Sequence, residues 1–106
     1  MYQISFYVPE ADAEKVKAAM FAAGGGELGD YRQCAWQTLG QGQFLPEGDA
    51  KPAIGSVGEV TRLPELKVEM VSADDRVKAV VSALIDAHPY EEPAYGVVKI
   101  LTLEDL

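Results

Sequence analysis

The first part of the chain changes from an alternating pattern of apolar and polar residues to a helical one. Apolar side chains occupy every second position over residues 2–8, which predicts a strand with one buried face. Over residues 11–23, Val16 and Met20 recur at helical spacing together with alanines, which predicts an amphipathic helix. The glycines at 24–26 end this helix, because glycine accepts the left-handed conformation of a helix C-terminus.

The same order of patterns recurs roughly 64 positions later. Residues 66–70 alternate like a strand, and residues 74–87 carry one apolar stripe at helical spacing. Either Ser72 or Asp74 is a candidate N-cap for this second helix. The pair His88-Pro89 closes the helix, because proline disfavours the helical conformation of the residue before it. The second half of the chain therefore resembles a repeat of the first.

Two further strands complete a recognisable topology. Residues 31–38 are the candidate for a strand between the helices, and residues 95–103 for the last strand. The order strand–helix–strand–strand–helix–strand predicts an α+β fold, a ferredoxin-like βαββαβ sandwich. We expect residues 1–106 to form one domain.

The middle of the chain, residues 39–64, is rich in glycine and proline and contains no helical pattern. A plain loop of about 25 residues is unusual in a compact domain. We therefore predict a glycine-rich, hairpin-like excursion, with residues 43–45 and 58–61 as its short strands.

Composition excludes several classes of partner. The 106 residues carry a formal net charge of −8, with only nine scattered cations, so the basic stripe needed for nucleic acid or an anionic membrane is absent. The single Cys34 excludes an internal disulfide framework and a thiolate zinc cluster. With no leader pattern and no long apolar run, we expect a cytoplasmic protein.

The most distinctive stretch is residues 88–95, here called the lip. It holds His88, Tyr90, Glu91, Glu92 and Tyr95. An imidazole beside carboxylates can bind a divalent metal, with His88 and Glu91 as ligands, or exchange protons. One chain supplies too few ligands for a closed site, so symmetry-related subunits would complete it. Alternatively, His88 caps the last carbonyls of the second helix and the prolines only steer the chain.

The other candidate residues give weaker indications of a functional site. Tyr31, Trp36 and Phe44 are more typical of a core or an interface than of a cofactor site. Cys34 falls within the predicted strand at 31–38, where a small, partly buried thiol is expected rather than a nucleophile. The glycines at 24–26 follow a helix and lack a Walker lysine, so they do not form a phosphate loop.

These features together resemble one domain of a known family, the insert domain of the NIF-three-like, dinuclear-metal hexameric proteins, which often bear the name GTP cyclohydrolase I type 2. The resemblance is carried by residues 29–36, 40–46, 52–55, 58–60, 69 and 88–95. It implies a fold similar to that of the PII signalling and CutA-like proteins, a unit that tends to assemble as trimers through its sheet edges. The periodicity leads independently to the same topology.

The family's two metals are held by flanking halves that this sequence lacks, so the resemblance implies neither a metal centre nor cyclohydrolase activity. We expect a non-enzymatic, self-associating module that exists as a trimer or a dimer. Its other partners would be a protein or a small molecule in a regulatory role. No resident cofactor is expected, and the alternative function is divalent-metal binding by His88 and the adjacent carboxylates across subunits.

Overall fold

The computed structural model describes all residues 1–106 and contains four strands and two α-helices. In chain order these are β1 (Tyr2–Pro9), α1 (Ala13–Ala22), β2 (Trp36–Phe44), β3 (Thr61–Ser72), α2 (Val77–Ala87) and β4 (Tyr95–Lys99). Single 3₁₀ turns at Glu10–Asp12 and Leu103–Asp105 precede α1 and follow β4.

The four strands form one antiparallel sheet in the order β2-β3-β1-β4. Each helix connects two strands that flank a third, which is the split βαβ arrangement. The predicted ferredoxin-like α+β fold is confirmed. No helix combines the length and the apolar character needed to cross a bilayer.

The core lies between one face of the sheet and the two helices. The alternation predicted for β1 buries Ile4, Phe6 and Val8 on this face. Val16 and Met20 of α1 and the apolar stripe of α2 cover them. The apolar stripe of α2 is buried at Val80 and Leu84 and partly exposed at its other positions. The fully enclosed side chains of the core belong to the two helices and to the two central strands, β1 and β3.

The end of α1 follows the prediction, whereas the start of α2 does not. Gly24 and Gly26 have φ values of +108° and +72° directly after α1, so glycine meets the left-handed requirement at this helix end. Neither predicted N-cap of α2 acts as one. The Ser72 hydroxyl donates to the Ala73 carbonyl within the end of β3, and the Asp74 carboxylate accepts from the Met1 amino group.

The strand predicted at 31–38 lies further along the chain. Gln33 has φ +59°, and Leu28 and Tyr31 form an isolated bridge, so the chain turns here and β2 begins only at Trp36. Cys34 therefore precedes the strand, and its predicted position within it was wrong.

The predicted glycine-rich hairpin is present, and its strands are the ends of β2 and β3: of the predicted strand residues, Gln43 and Phe44 lie in β2 and Thr61 in β3. β2 continues through Gly40 and Gly42 to Phe44, paired with β3 in register from Trp36–Glu69 to Phe44–Thr61. Pairing with β3 outweighs the low strand propensity of glycine. The connection at 45–60, here called the hairpin loop, contains no strand; the Gly58 amide closes its base by donating to the Pro46 carbonyl at 2.8 Å.

The last strand is shorter than predicted. β4 ends at Lys99, and the Ile100 amide makes one further bond to the Met1 carbonyl at 3.0 Å. The chain then turns into a 3₁₀ turn, where Asp105 accepts hydrogen bonds from the backbone and side chain of Thr102. This local capping competes with continued strand pairing.

The sheet face opposite the helices is open. Directly paired residues share a face, so the pairs Gln3–Val98 and Trp36–Glu69 lie on the open face, as do Tyr7 and Lys67. The hairpin loop and the lip approach this face at the end of the sheet where β2 leads into the hairpin loop.

Candidate functional site

A pocket of about 310 Å³ lies on the open face between the hairpin loop and the lip. Its apolar walls come mainly from the hairpin loop, and its polar groups from β3 and the lip. The lining residues are Tyr7, Gln43, Phe44, Leu45, Pro46, Glu47, Ala50, Pro52, Ala53, Ile54, Glu65, Tyr90, Glu91, Glu92 and Ala94.

Glu65 of β3 is the most buried carboxylate of the pocket, with 9% of its surface exposed. The Tyr90 hydroxyl donates to Glu65 Oε2 at 2.9 Å. Glu65 Oε1 accepts no hydrogen bond from the chain and is open to the pocket. Gly42 of the neighbouring strand makes room for this oxygen, because a Cβ atom at position 42 would overlap Oε1 and lie 2.5 Å from Cδ.

Tyr90 links the lip to the hairpin. Its ring packs edge-on against Phe44, with ring centroids 5.6 Å apart and planes at 62°. Burial raises the pKa of the Tyr90 phenol well above its usual value, and the hydrogen bond and negative charge of Glu65 raise that pKa further. Tyr90 therefore stays protonated at neutral pH. Its hydroxyl is the hydrogen-bond donor that holds the Glu65 carboxylate in place.

The His88 side chain is hydrogen-bonded to backbone groups of β1 and of the lip. The imidazole is 6% exposed, and Nε2 lies 2.7 Å from the Tyr7 carbonyl of β1. Because a carbonyl only accepts, Nε2 carries the proton and Nδ1 accepts from the Tyr90 amide at 3.1 Å. The His88 amide, rather than its side chain, bonds to the last turn of α2, at the Leu84 carbonyl. The side-chain cap was wrong: the imidazole ties the end of α2 to β1.

The two metal candidates make separate contacts. Glu91 Oε1 accepts from the Lys51 backbone amide at 2.8 Å and so fastens the lip to the hairpin loop. Within the chain, no three His, Cys, Asp or Glu side chains converge as metal ligands. Metal binding across subunits stays a prediction, and it would require His88 to give up one of its two hydrogen bonds.

The structure divides the sequence-predicted candidates into two groups. Phe44, Tyr90, Glu91 and Glu92 line one pocket, with His88 packed behind Tyr90 at a ring distance of 4.9 Å. The remaining aromatic candidates lie outside it and are exposed on the surface: Tyr31, Trp36 and Tyr95.

Sequence reasoning missed Glu65, Gly42 and Tyr7. Glu65 stands one position before the predicted strand at 66–70 and continues the alternation of its polar face. The sequence pattern therefore predicts an ordinary solvent-exposed residue there. Its burial depends on the β2–β3 register, which places Gly40 opposite it and Gly42 beside it. A signal existed in the two glycines spaced by two, which leave one strand face without side chains.

The sheet order and helix placement define a fold of the CutA and PII type. The chain superposes on the periplasmic divalent cation tolerance protein CutA of Archaeoglobus fulgidus with a TM-score of 0.64 and 13% identity, covering 94% of this chain and 84% of that one. Bacillus subtilis GlnK gives a TM-score of 0.60 at 17% identity, covering 93% and 83%. At these identities the likeness shows the fold alone.

Sequence relatives place the chain more narrowly. It is 47% identical over 95 residues to the GTP cyclohydrolase 1 type 2 homolog of Mycobacterium tuberculosis, covering 90% of this chain and 25% of that protein. The homolog of Bacillus subtilis is 42% identical over 98 residues, covering 92% and 26%. A Bacillus cereus protein related to NIF3 superposes with a TM-score of 0.75 at 32% identity, covering 91% and 24%.

The resemblance to the NIF-three-like family is thus confirmed over nearly the whole chain. The chain spans about a quarter of the length of these relatives. No protein-family model matches it.

Proposed function

We propose that this chain is a non-enzymatic, self-associating module of the CutA and PII type that acts in a regulatory capacity. The observation that carries the proposal is the uncovered sheet, which has two free edges and one open face. A homo-oligomer is the arrangement that covers these surfaces with a second copy of the same chain, and the resemblance favours a trimer over a dimer.

Both edge strands carry unpaired backbone groups. β2 and β4 each pair on one side only, and an unprotected edge tends to pair with another chain. β2 is nine residues long and carries no charged side chain, so it lacks the lysines and prolines that usually protect an edge. A second copy is therefore the natural partner for this strand.

Apolar side chains accompany the two edges. Trp36 at the start of β2 is 62% exposed, and Val98 near the end of β4 is 63% exposed. Both lie on the open face, where no other part of the chain covers them. Aromatic residues are enriched at protein interfaces, which supports Trp36 as an interface anchor.

A role without catalysis is consistent with the hydrogen bonding of the one histidine. His88, the one histidine, uses both ring nitrogens in hydrogen bonds to backbone atoms. The cyclohydrolase name belongs to relatives about four times as long as this chain. We infer that any such chemistry in those proteins depends on parts beyond this domain.

Sedimentation velocity at micromolar concentration tests the proposal. We expect the chain to sediment as a trimer or a dimer, with no change in mass when zinc is removed by a chelator. A monomer throughout this concentration range would contradict self-association, and hydrolysis of added GTP by the purified chain would contradict the absence of catalysis.

A further inference from the structure

We infer that the pocket between the hairpin loop and the lip binds a small organic cation, namely a protonated amine carried on an apolar body. This site goes beyond the proposed self-association, since its lining includes neither Trp36 nor the edge strand β4. The argument rests on the shape of the pocket, its charge and one carboxylate oxygen that accepts no hydrogen bond from the protein.

The size and the walls of the pocket suit a small ligand. A volume of about 310 Å³ is at the lower end of the range for small-molecule sites. Leu45, Pro46, Pro52, Ala53 and Ile54 supply an apolar wall from the hairpin loop. An apolar wall facing a few fixed polar groups is typical of sites that orient a ligand.

The charge of the lining has a single sign. Four carboxylate residues line the pocket, namely Glu47, Glu65, Glu91 and Glu92, and no lysine or arginine does. Carboxylates facing the same partly enclosed space raise the local concentration of cations and exclude anions. The favoured ligand therefore carries a positive charge.

Glu65 supplies the directional contact. It is nine-tenths buried, and of its two carboxylate oxygens only Oε2 receives a hydrogen bond from the protein. Oε1 is not sealed from solvent, so it is open to a hydrogen-bond donor that enters the pocket. An ammonium N–H donates to this Oε1 without disturbing the bond from Tyr90.

The same contacts favour an organic cation over a metal ion. The carboxylates do not converge into a group of metal ligands, whereas three aromatic rings line the pocket, from Tyr7, Phe44 and Tyr90. Aromatic rings attract ammonium groups through their π electrons. A divalent metal would make no use of these rings or of the apolar wall.

Three soluble probes of nearly equal shape test the charge requirement: benzylammonium, benzyl alcohol and benzoate. Each is titrated into the full chain while amide chemical shifts are followed by NMR. We expect benzylammonium to shift amides of the hairpin loop and the lip, benzyl alcohol to bind at least about tenfold more weakly, and benzoate not to bind. Equal binding of the ammonium and the alcohol would overturn the proposal.

Two matched variants test the contact. Glu65→Gln keeps the shape and can still accept from Tyr90, and we expect it to weaken benzylammonium at least about tenfold. Glu69→Gln removes the same charge from the same strand and face, outside the pocket, and should bind like the wild type. If both variants weakened benzylammonium binding equally, the effect would come from net charge alone, and the proposed contact with Glu65 would be refuted. Displacement of benzylammonium by millimolar magnesium in the presence of a constant ionic strength would overturn the preference for an organic cation.

Discussion

The Glu65 carboxylate occupies the space that a side chain at Gly42 would fill. A Cβ atom at position 42 would overlap Oε1 and lie 2.5 Å from Cδ of Glu65. Because Tyr90 holds the other oxygen at 2.9 Å, a displacement of the carboxylate away from position 42 disturbs that hydrogen bond. The absence of a side chain at Gly42 therefore determines where the buried charge of the pocket lies.

Gly42→Ala is expected to destabilise the protein and to abolish binding of benzylammonium. Displacing Glu65 breaks its bond to Tyr90, at a cost of about 1–3 kcal/mol in the free energy of unfolding, measured by urea denaturation. The matched control is Gly40→Ala, on the same strand and face, where nothing lies within 4 Å of the added Cβ. The control should remain within about 0.5 kcal/mol of the wild type, and equal losses in the two variants would contradict the close approach at position 42.

Tyr90 is expected to ionise only at a pH well above the ordinary pKa of a tyrosine. Its folded pKa is raised above the unfolded value of about 10, so the folded state holds this proton more tightly. The stability linked to Tyr90 is complete below pH 10 and is lost as the pH rises from there through the raised folded pKa. The stability of the wild type should therefore decline more steeply above pH 10 than that of Tyr90→Phe.

Two measurements check this behaviour. The tyrosinate absorbance of the wild type minus that of Tyr90→Phe gives the titration of Tyr90 alone, and urea denaturation at several alkaline pH values gives the stability. A difference titration centred at the ordinary tyrosine pKa would contradict the prediction.

His88→Ala is expected to cost about 2–4 kcal/mol in the free energy of unfolding. The substitution opens a buried space and leaves the Tyr7 carbonyl and the Tyr90 amide without their partner. Asp86→Ala, at an exposed position in the last turn of α2, serves as the control and should change stability by less than about 0.5 kcal/mol. A stable His88→Ala variant that has instead lost a calorimetric response to Zn²⁺ would support the metal hypothesis.

Trp36→Ser is expected to shift the assembly toward the monomer. The substitution removes a large, exposed ring from the open face of the sheet at its β2 edge, so the interface proposed there loses its anchor. Ile85→Ser removes an exposed apolar side chain from α2, on the opposite layer, and should leave the mass unchanged. Sedimentation velocity over a dilution series compares the two, and a larger effect of Ile85→Ser would place the interface on the helices instead.

The two halves of the fold were predictable because their patterns are local. Strand alternation over residues 2–8 and helical spacing around Val80 and Leu84 each report directly which side chains face the core. The helix-ending role of Gly24 and Gly26 likewise depends only on backbone conformation. These elements, in their order along the chain, were sufficient to indicate the ferredoxin-like topology.

The second strand was misplaced because its signal is not local. Gly40 and Gly42 disfavour a strand on propensity alone, yet both lie in the middle of β2, where pairing with β3 supplies the hydrogen bonds. Residues 31–35, which alternate like a strand, are turned by the left-handed Gln33 and the Leu28–Tyr31 bridge. Tertiary context outweighs local preference in strands more readily than in helices.

The lip shows where the contribution of the sequence ended and that of the tertiary structure began. Its composition singled out His88, Tyr90, Glu91 and Glu92 as unusual, and the net charge of −8 argued against nucleic acid as a partner. Only the folded chain shows that His88 joins α2 to β1 and that Tyr90 meets Glu65 from 25 residues away. Periodicity along the chain determines which face of an element is buried, whereas a pocket depends on strand register and on contacts between distant residues.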